Sequence, residues 1–275
     1  MDPRGLQPSG GSQKSRGEAR DFRYNVNPVK AIRLAPSILN ADYGCLKDEI
    51  QRAEAGGADQ IHVDIMDAHF VPNLSMGPAV VESVRKLTQL PLDLHLMVMA
   101  PEKLIKPFAD AGADSITFHA EAVAQDYALK LKERGYAMQL VCKDFYDRQR
   151  LNDTIDRIRN KGKKVAVAIN PDTDAEVVEF IDRVDMVLAM TVWPGFGGQK
   201  FIESVVPKVA RLRKMSATVD IEVDGGVDLT NVEKAAAAGA NVLVAGTSVF
   251  HSPDVPGTVR VLREKAERAY GIRKD

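Results

Sequence analysis

His62 and Asp64 stand two positions apart near the end of an apolar run, Ile61–Asp67 (IHVDIMD). On an extended chain that spacing puts an imidazole and a carboxylate on the same side. Three further apolar runs end in comparable chemistry: Leu92–Val98 (LDLHLMV) with His95 and Met97, Met186–Gly198 (MVLAMTVWPGFGG), and Ile221–Gly226 (IEVDGG) with Asp224 before two glycines. Two imidazoles and two carboxylates can hold one divalent metal while leaving positions open for substrate oxygens. Singly, a strand-end His or Asp is as ordinary as a helix cap or a hydrogen-bonded core group. Four of them, from three strands, point to an enzyme that handles a carbanion or enolate.

Glycine clusters supply a second signal. Pro194-Gly195-Phe196-Gly197-Gly198, Gly225-Gly226 and Gly246-Thr247-Ser248 follow three successive apolar runs. One Gly-Gly pair is usually a tight turn. Three such turns at neighbouring strand ends predict backbone N–H groups gathered around a phosphate. Met66, Met97 and Met190 share the two-residue period of their chemical neighbours, so they are expected as apolar pocket walls, whereas Met99 reads as core filler. Trp193 and Phe196 would wall or pack the loop after the sixth run. Ser37, in LAPSILN, could bond a substrate or simply precede a helix.

The elements that must position these residues alternate. Strand-like runs are expected at Arg33–Leu39, Gln60–Ile65, Leu92–Val98, Ser115–His119, Val165–Ile169, Met186–Val192, Thr218–Val223 and Val242–Ala245. Helical runs lie between, including Cys45–Ala55, Gly77–Leu87, Glu102–Ala109, Glu203–Met215 and Asn231–Ala238. Several strands are apolar on successive residues, as for strands covered on both faces. The phrases Ala55-Gly56-Gly57-Ala58-Asp59, Ala111-Gly112-Ala113-Asp114 and Ala238-Gly239-Ala240-Asn241 each put glycine just past a helix. The α/β rhythm predicts a single (β/α)8 TIM barrel with a parallel eight-stranded core. An open doubly wound sheet lacks its Gly-rich dinucleotide fingerprint here. One stretch exceeds the count: a helical Gln125–Arg134 and an apolar Ala137–Cys142 make residues 122–150 an expected insertion on the fourth connection, with Leu151–Asn160 as the regular helix.

Residues 1–30, rich in Gly, Pro, Ser and basic side chains without apolar periodicity, are expected to be a disordered extension preceding a catalytic barrel over 31–275. They lack the apolar core of a secretory signal. The chain has 275 residues, 45% hydrophobic and 27% charged, with a net charge of −1. That balance gives no basic field for nucleic acid, and no run approaches the ~18 apolar residues of a membrane span. Its two cysteines, Cys45 and Cys142, match no disulfide framework. A reducing, cytoplasmic setting is the expectation.

At this point the chain resembles the ribulose-phosphate 3-epimerase family. The resemblance rests on LAPSILNAD (Leu34–Asp42), HVDIMD (His62–Asp67), FVPN (Phe70–Asn73), DLHLMV (Asp93–Val98), TFHAE (Thr117–Glu121), MTVWPGFGGQKF (Met190–Phe201), EVDGG (Glu222–Gly226) and AGTSVF (Ala245–Phe250). These run in order over nearly all of the chain outside the N-terminal extension. The resemblance implies an isomerase of the pentose phosphate pathway that epimerises D-ribulose 5-phosphate to D-xylulose 5-phosphate. It implies one divalent metal ion, most often zinc, with iron, manganese or cobalt also used, held by His62, Asp64, His95 and Asp224. It implies Asp64 as proton acceptor and Asp224 as proton donor. Ser37, His95, Gly195, Phe196, Gly197, Gly198, Asp224, Gly225, Gly226, Gly246 and Thr247 match substrate-binding positions.

Elementary chemistry runs the same way. Inverting the carbon beside a ketone means removing a proton on one face and returning one on the other, through an enediolate, so two carboxylates are wanted. They must differ in protonation state, which a shared cation helps to set. Two features depart from the family pattern: Trp193 replaces a residue more usually polar, and the insertion lengthens the fourth connection. The same chemistry on a hexulose 6-phosphate is the nearest alternative. A lysine-dependent aldolase or decarboxylase is weaker, since none of the eight strands ends in lysine and Lys143 is the one candidate. A non-catalytic barrel conflicts with four retained ligands. A small phosphorylated ketose is thus the expected partner, with no nucleic acid or membrane; a homo-oligomer is compatible with the sequence but specified by nothing in it.

Overall fold

The computed structural model describes residues 30–124 and 147–271. Eight parallel strands run through them: β1 (Arg33–Pro36), β2 (Ile61–Met66), β3 (Leu92–Met97), β4 (Ser115–His119), β5 (Lys164–Ile169), β6 (Met186–Met190), β7 (Asp220–Asp224) and β8 (Val242–Ala245). From β2 to β8 each strand pairs with the next in sequence, and β1 pairs with β8. Between β1 and β2 a parallel bridge from Ser37 to His62 brings the last edges together, so the sheet forms a nearly closed barrel. The strand boundaries agree with the expected runs to within three residues at every end.

Outward-pointing residues of the strands, among them Leu34, Val63, Leu94, Phe118, Val167 and Val223, form one large apolar core with the surrounding helices. The described helices are α1 (Leu46–Ala55), α2 (Pro78–Leu87), α3 (Pro101–Asp110), α4 (Arg148–Arg159), α5 (Val206–Met215), α6 (Val232–Ala237), α7 (Thr247–Phe250) and α8 (Val255–Tyr270). The connection from β5 to β6 uses two 3-10 turns, Ala175–Val178 and Ile181–Arg183, and β8 is followed by two helices. The helical Gln125–Arg134, the apolar Ala137–Cys142 and Lys143 lie outside the described residues, as does all of the N-terminal stretch but Lys30. Helix α4 begins at Arg148, capped by Asp147, whose carboxylate accepts the N–H groups of Gln149 and Arg150.

The Ala-Gly-Ala-Asp phrases do more than end helices. Gly57, Gly112 and Gly239 take φ values of 90°, 112° and 114°, as a left-handed helix end requires. The acidic or amide residue that follows then clamps the preceding odd strand. Asp59 accepts the Leu34 N–H at 2.6 Å, Asp114 that of Leu92 at 2.8 Å and Asn241 that of Ile221 at 2.9 Å; Asp185, which follows no such phrase, accepts that of Val165 at 2.8 Å in the same way. The backbone N–H of each clamp donates back to the carbonyl of the same strand residue. Four equivalent pegs therefore fix the register at the N-terminal end of the barrel, opposite the end where the glycine loops lie.

Strands β2, β3 and β7 are not among those apolar on successive residues. Their inward positions are polar: His62 and Asp64, Asp93 and His95, Glu222 and Asp224. Of these, His62, Asp93, His95 and Glu222 are fully buried. In a sheet with one wet face such alternation marks solvent exposure. Here it marks a polar barrel interior, whose burial is costly unless the groups satisfy one another.

Candidate active site

At the C-terminal mouth of the barrel lies a cavity of about 550 Å³. Ser37, Asp64, Met66, Met97, Met190, Gly195–Gly198, Asp224–Gly226, Gly246 and Thr247 all line it. His62 and His95 sit beneath its floor, behind Asp64 and Asp224. On β2 the strand period is responsible, His62 standing two positions before Asp64 and one layer deeper, whereas His95 is level with Asp64 in the register and lies two positions before Met97.

The four expected ligands converge. His62 Nε2 is 3.4 Å from Asp64 Oδ1 and 3.9 Å from Asp224 Oδ2. His95 Nδ1 is 3.3 Å from the same Asp64 oxygen and 3.6 Å from the same Asp224 oxygen. All four ligand atoms lie within 4.8 Å of one another. Zinc bonds near 2.0–2.1 Å in a tetrahedron set ligand atoms about 3.4 Å apart, so the donor set fits a single small cation. His62 Nε2 is moreover buried without a hydrogen-bond partner, while its Nδ1 lies 2.9 Å from Asp93 Oδ2. An imidazole so held presents a lone pair to the centre of the four.

The electrostatics favour positive charge at that point. Burial opposes charging of His62, yet Asp64 beside it pulls its pKa well above the usual imidazole value. Burial likewise opposes charging of His95, which Asp224 and Asp64 raise. Asp64, which burial alone would push up, is held well below the carboxylate range by His62 and His95. The two carboxylates thus draw cationic charge onto the imidazoles, and a divalent ion is the other way to supply it. Asp64 also accepts the Ser37 hydroxyl at 2.6 Å through Oδ2. Ser37 therefore both positions Asp64 and caps the 3-10 turn Ile38–Asn40, accepting the Leu39 N–H.

Several contributors lie beyond the expected set. Asp93, pushed up by burial but brought down to about 2 by its bond from His62, takes further hydrogen bonds from Ser115 and Gln60. Glu222 moves the other way: burial raises its pKa well above normal and the Asp93 charge adds to that. His62, Asp93 and Glu222 could also group around an ion. However, none of the three lines the cavity, and His62 Nδ1 is already committed to Asp93, so they serve His62 rather than a second site. His119 and Glu121 lie behind His95. Asn40 fills the gap between two glycine loops: a Cβ on Gly197 would meet its amide at 2.5 Å, and one on Gly246 at 2.7 Å. The signal for Asp93 and Glu222 was present in the sequence, each standing two residues before a chemical residue; nothing local marks Asn40.

The mouth loops are pinned by side chains. Asn73 donates to the Gly195 carbonyl at 2.8 Å, Gln199 to those of Trp193 and Phe196, and Thr191 to that of Gly225. Ser248 donates to the Val227 carbonyl at 2.6 Å. Gly225, at φ 118°, leaves room that Val192 occupies; a Cβ there would come within 2.3 Å of it. Met66, Met97 and Met190 are buried around the cavity, Met99 is half-buried, and Phe196 stands exposed at the rim.

The model of the "Ribulose-phosphate 3 epimerase family" matches residues 33–145 and 137–250, two stretches that meet within the expected insertion. The ribulose-phosphate 3-epimerase of Bacillus subtilis (strain 168) is 43% identical over 238 residues, covering 84% of this chain and 98% of that protein. The cytoplasmic isoform of ribulose-phosphate 3-epimerase from Oryza sativa subsp. japonica is 40% identical over 241 residues, covering 86% of this chain and 95% of its own length. Among solved structures, 3-hexulose-6-phosphate synthase from Salmonella typhimurium superposes with a TM-score of 0.61 at 16% identity over 86% of this chain and all of that one. At that identity the likeness is one of fold.

Proposed function

This chain belongs to the ribulose-phosphate 3-epimerase family, and from that premise we propose how its barrel mouth works. It is an isomerase that inverts C3 of D-ribulose 5-phosphate to give D-xylulose 5-phosphate, a step of the pentose phosphate pathway. The observation that carries the residue assignments is the meeting of Asp64 and Asp224, from β2 and β7, on the floor of one cavity with His62 and His95 directly behind them.

His62, Asp64, His95 and Asp224 would hold one divalent cation, with zinc the best match to two imidazoles and two carboxylates in a compact cluster. When bound, it supplies Lewis acidity that lowers the cost of negative charge on the ketone oxygen as the C3 proton leaves. Asp64 and Asp224 do the proton work. Asp64, held ionised by its histidines and by Ser37, takes the C3 proton of D-ribulose 5-phosphate on one face. Asp224, three strands away round the barrel, delivers a proton to the other face. In the reverse direction their roles exchange.

The remaining residues bind, orient and exclude water. Backbone N–H groups of Gly197–Gly198, Gly225–Gly226 and Gly246–Thr247 receive the phosphate, at loops held by Asn40, Asn73, Gln199 and Thr191. Met66, Met97 and Met190 give the reacting carbons an apolar, polarisable wall that keeps water from the carbanion. No helix of the described residues is long and apolar enough to cross a membrane. A cytoplasmic location, the compartment named for the rice relative, agrees with the lack of any disulfide pattern.

Chelation tests the cation assignment. Dialysis against a strong chelator is expected to abolish turnover of D-ribulose 5-phosphate. One equivalent of zinc, or of iron, manganese or cobalt, should restore it. Full turnover by protein shown to be cation-free would contradict the proposal.

A further inference from the structure

Behind His95 a chain of buried polar groups runs away from the cavity, and its hydrogen bonds have a direction. It starts at the backbone N–H of Asn170, which can only donate and gives its bond to Glu121 Oε1 at 2.8 Å. The Thr173 hydroxyl reaches the same oxygen at 2.6 Å. A carboxyl group carrying two donors on one oxygen is stabilised as the anion, so its other oxygen accepts. Glu121 Oε2 lies 3.1 Å from His119 Nδ1, which must therefore carry a hydrogen. The two ring nitrogens that follow, His119 Nε2 and His95 Nε2, are 2.9 Å apart. Two nitrogens at that distance need one donor and one acceptor. A neutral His119 with its hydrogen on Nδ1 accepts at Nε2, so His95 donates from Nε2 and keeps Nδ1 for the carboxylates Asp64 and Asp224.

We propose that Glu121, acting through His119, is a positioning residue that fixes His95 in the tautomer whose Nδ1 lone pair faces the metal position. The inference rests on the cation reading of the site. His119 and Glu121 are fully buried, and neither lines the cavity, so they act through His95 and not on substrate. Phe70 packs on the His119 ring, with centroids 4.6 Å apart, and keeps water from the wire. The two histidine ligands are thus backed differently. His62 is oriented by one direct carboxylate, Asp93, whereas His95 is oriented by a carboxylate one imidazole further away. Reversing the wire would put a hydrogen on His95 Nδ1, where the cation needs a lone pair.

Glu121→Gln is the variant that reverses it without changing shape. The amide oxygen would keep the bonds from Asn170 and Thr173, leaving the NH2 group to face His119 Nδ1 and forcing every hydrogen in the wire to the opposite end. The first readout is ring-nitrogen NMR of wild-type protein labelled with 15N-histidine, cation-free and zinc-loaded. The chain has five histidines, few enough to assign by substitution. The expected result is His119 as the Nδ1–H tautomer in both forms, with His95 protonated on Nε2 and its Nδ1 resonance shifted by zinc. The second readout is zinc competition with a chromophoric chelator. Glu121→Gln should bind about ten- to a hundredfold more weakly, with an altered cobalt(II) absorption spectrum and an unchanged melting temperature when cation-free. Wild-type His119 found as the Nε2–H or cationic form would overturn the inference. So would a folded Glu121→Gln protein that matches wild type in zinc affinity and cobalt spectrum. If that variant does not fold, the wild-type tautomers decide alone. A wild-type chain that takes up no divalent cation overturns the cation reading itself; one that takes it up with reversed tautomers overturns only the wire.

Discussion

His62, Asp93 and Glu222 show how two residues on the same side of a strand divide their work. On β3 and β7 the upper member, His95 or Asp224, faces the proposed cation position, and the deeper one, Asp93 or Glu222, faces His62. The upper members were legible in the sequence because an imidazole or carboxylate ending an apolar run, followed by glycine or methionine, is chemically conspicuous. The deeper ones follow from the same two-residue period, but burial is what turns a polar alternation into a site, and burial is a property of the closed barrel. Asn40 was not legible at all, since its role depends on Gly197 and Gly246, remote in the chain. The steric fit makes it testable. Gly197→Ala should lower kcat/KM by roughly ten- to a hundredfold by displacing the loop proposed to bind phosphate. Asn40→Ala in the same chain should recover part of that loss, because the two side chains compete for one space. No recovery in steady-state kinetics would show that Asn40 does not set the loop.

At the scale of elements, the recurrent Ala-Gly-Ala-Asp phrase was legible as a helix end but not as a strand clamp, because the strand it clamps is chosen by topology. The clamp on β7 carries Asn241 in place of Asp, and the structure gives a reason. Asn241 accepts the Ile221 N–H with its oxygen and donates to Asp220 Oδ1 at 2.9 Å with its nitrogen. A carboxylate there would lose the donor and face another carboxylate. Asn241→Asp is therefore expected to cost about 1–3 kcal/mol in urea unfolding. It should leave kcat unchanged, since the site is at the other end of the barrel. Wild-type stability in that variant would remove this reason for an amide at the position. The connection from β5 to β6 shows the opposite limit: an acid-rich stretch with too short an apolar period for a helix folds as 3-10 turns.

For the whole molecule, the barrel was legible because eight apolar runs alternate with amphipathic ones and the Gly-rich fingerprint of an open doubly wound sheet is missing. Closure was not, since it rests on long-range contacts. One of these joins the first strand to the seventh: Lys30 and Arg33 both pair with Asp220. Burial pushes the Asp220 carboxyl up, but Arg33 and Lys30 hold it below its usual value. A carboxyl whose folded pKa is depressed stabilises the fold fully above its unfolded pKa, near 3.9, and loses that contribution as pH falls through the folded value. Wild type should exceed Asp220→Asn in stability at neutral pH, and the gap should close below about pH 4; a gap independent of pH would exclude the ion pair as its source. The central claim is proton transfer at C3 by two carboxylates. The most direct measurement is proton NMR of D-ribulose 5-phosphate with the cation-loaded protein in deuterated water, beside Asp64→Asn and Asp224→Asn. The account predicts D-xylulose 5-phosphate carrying deuterium at C3 with wild type and no epimerisation with either variant. Product without deuterium, or near wild-type turnover in either variant, would contradict it.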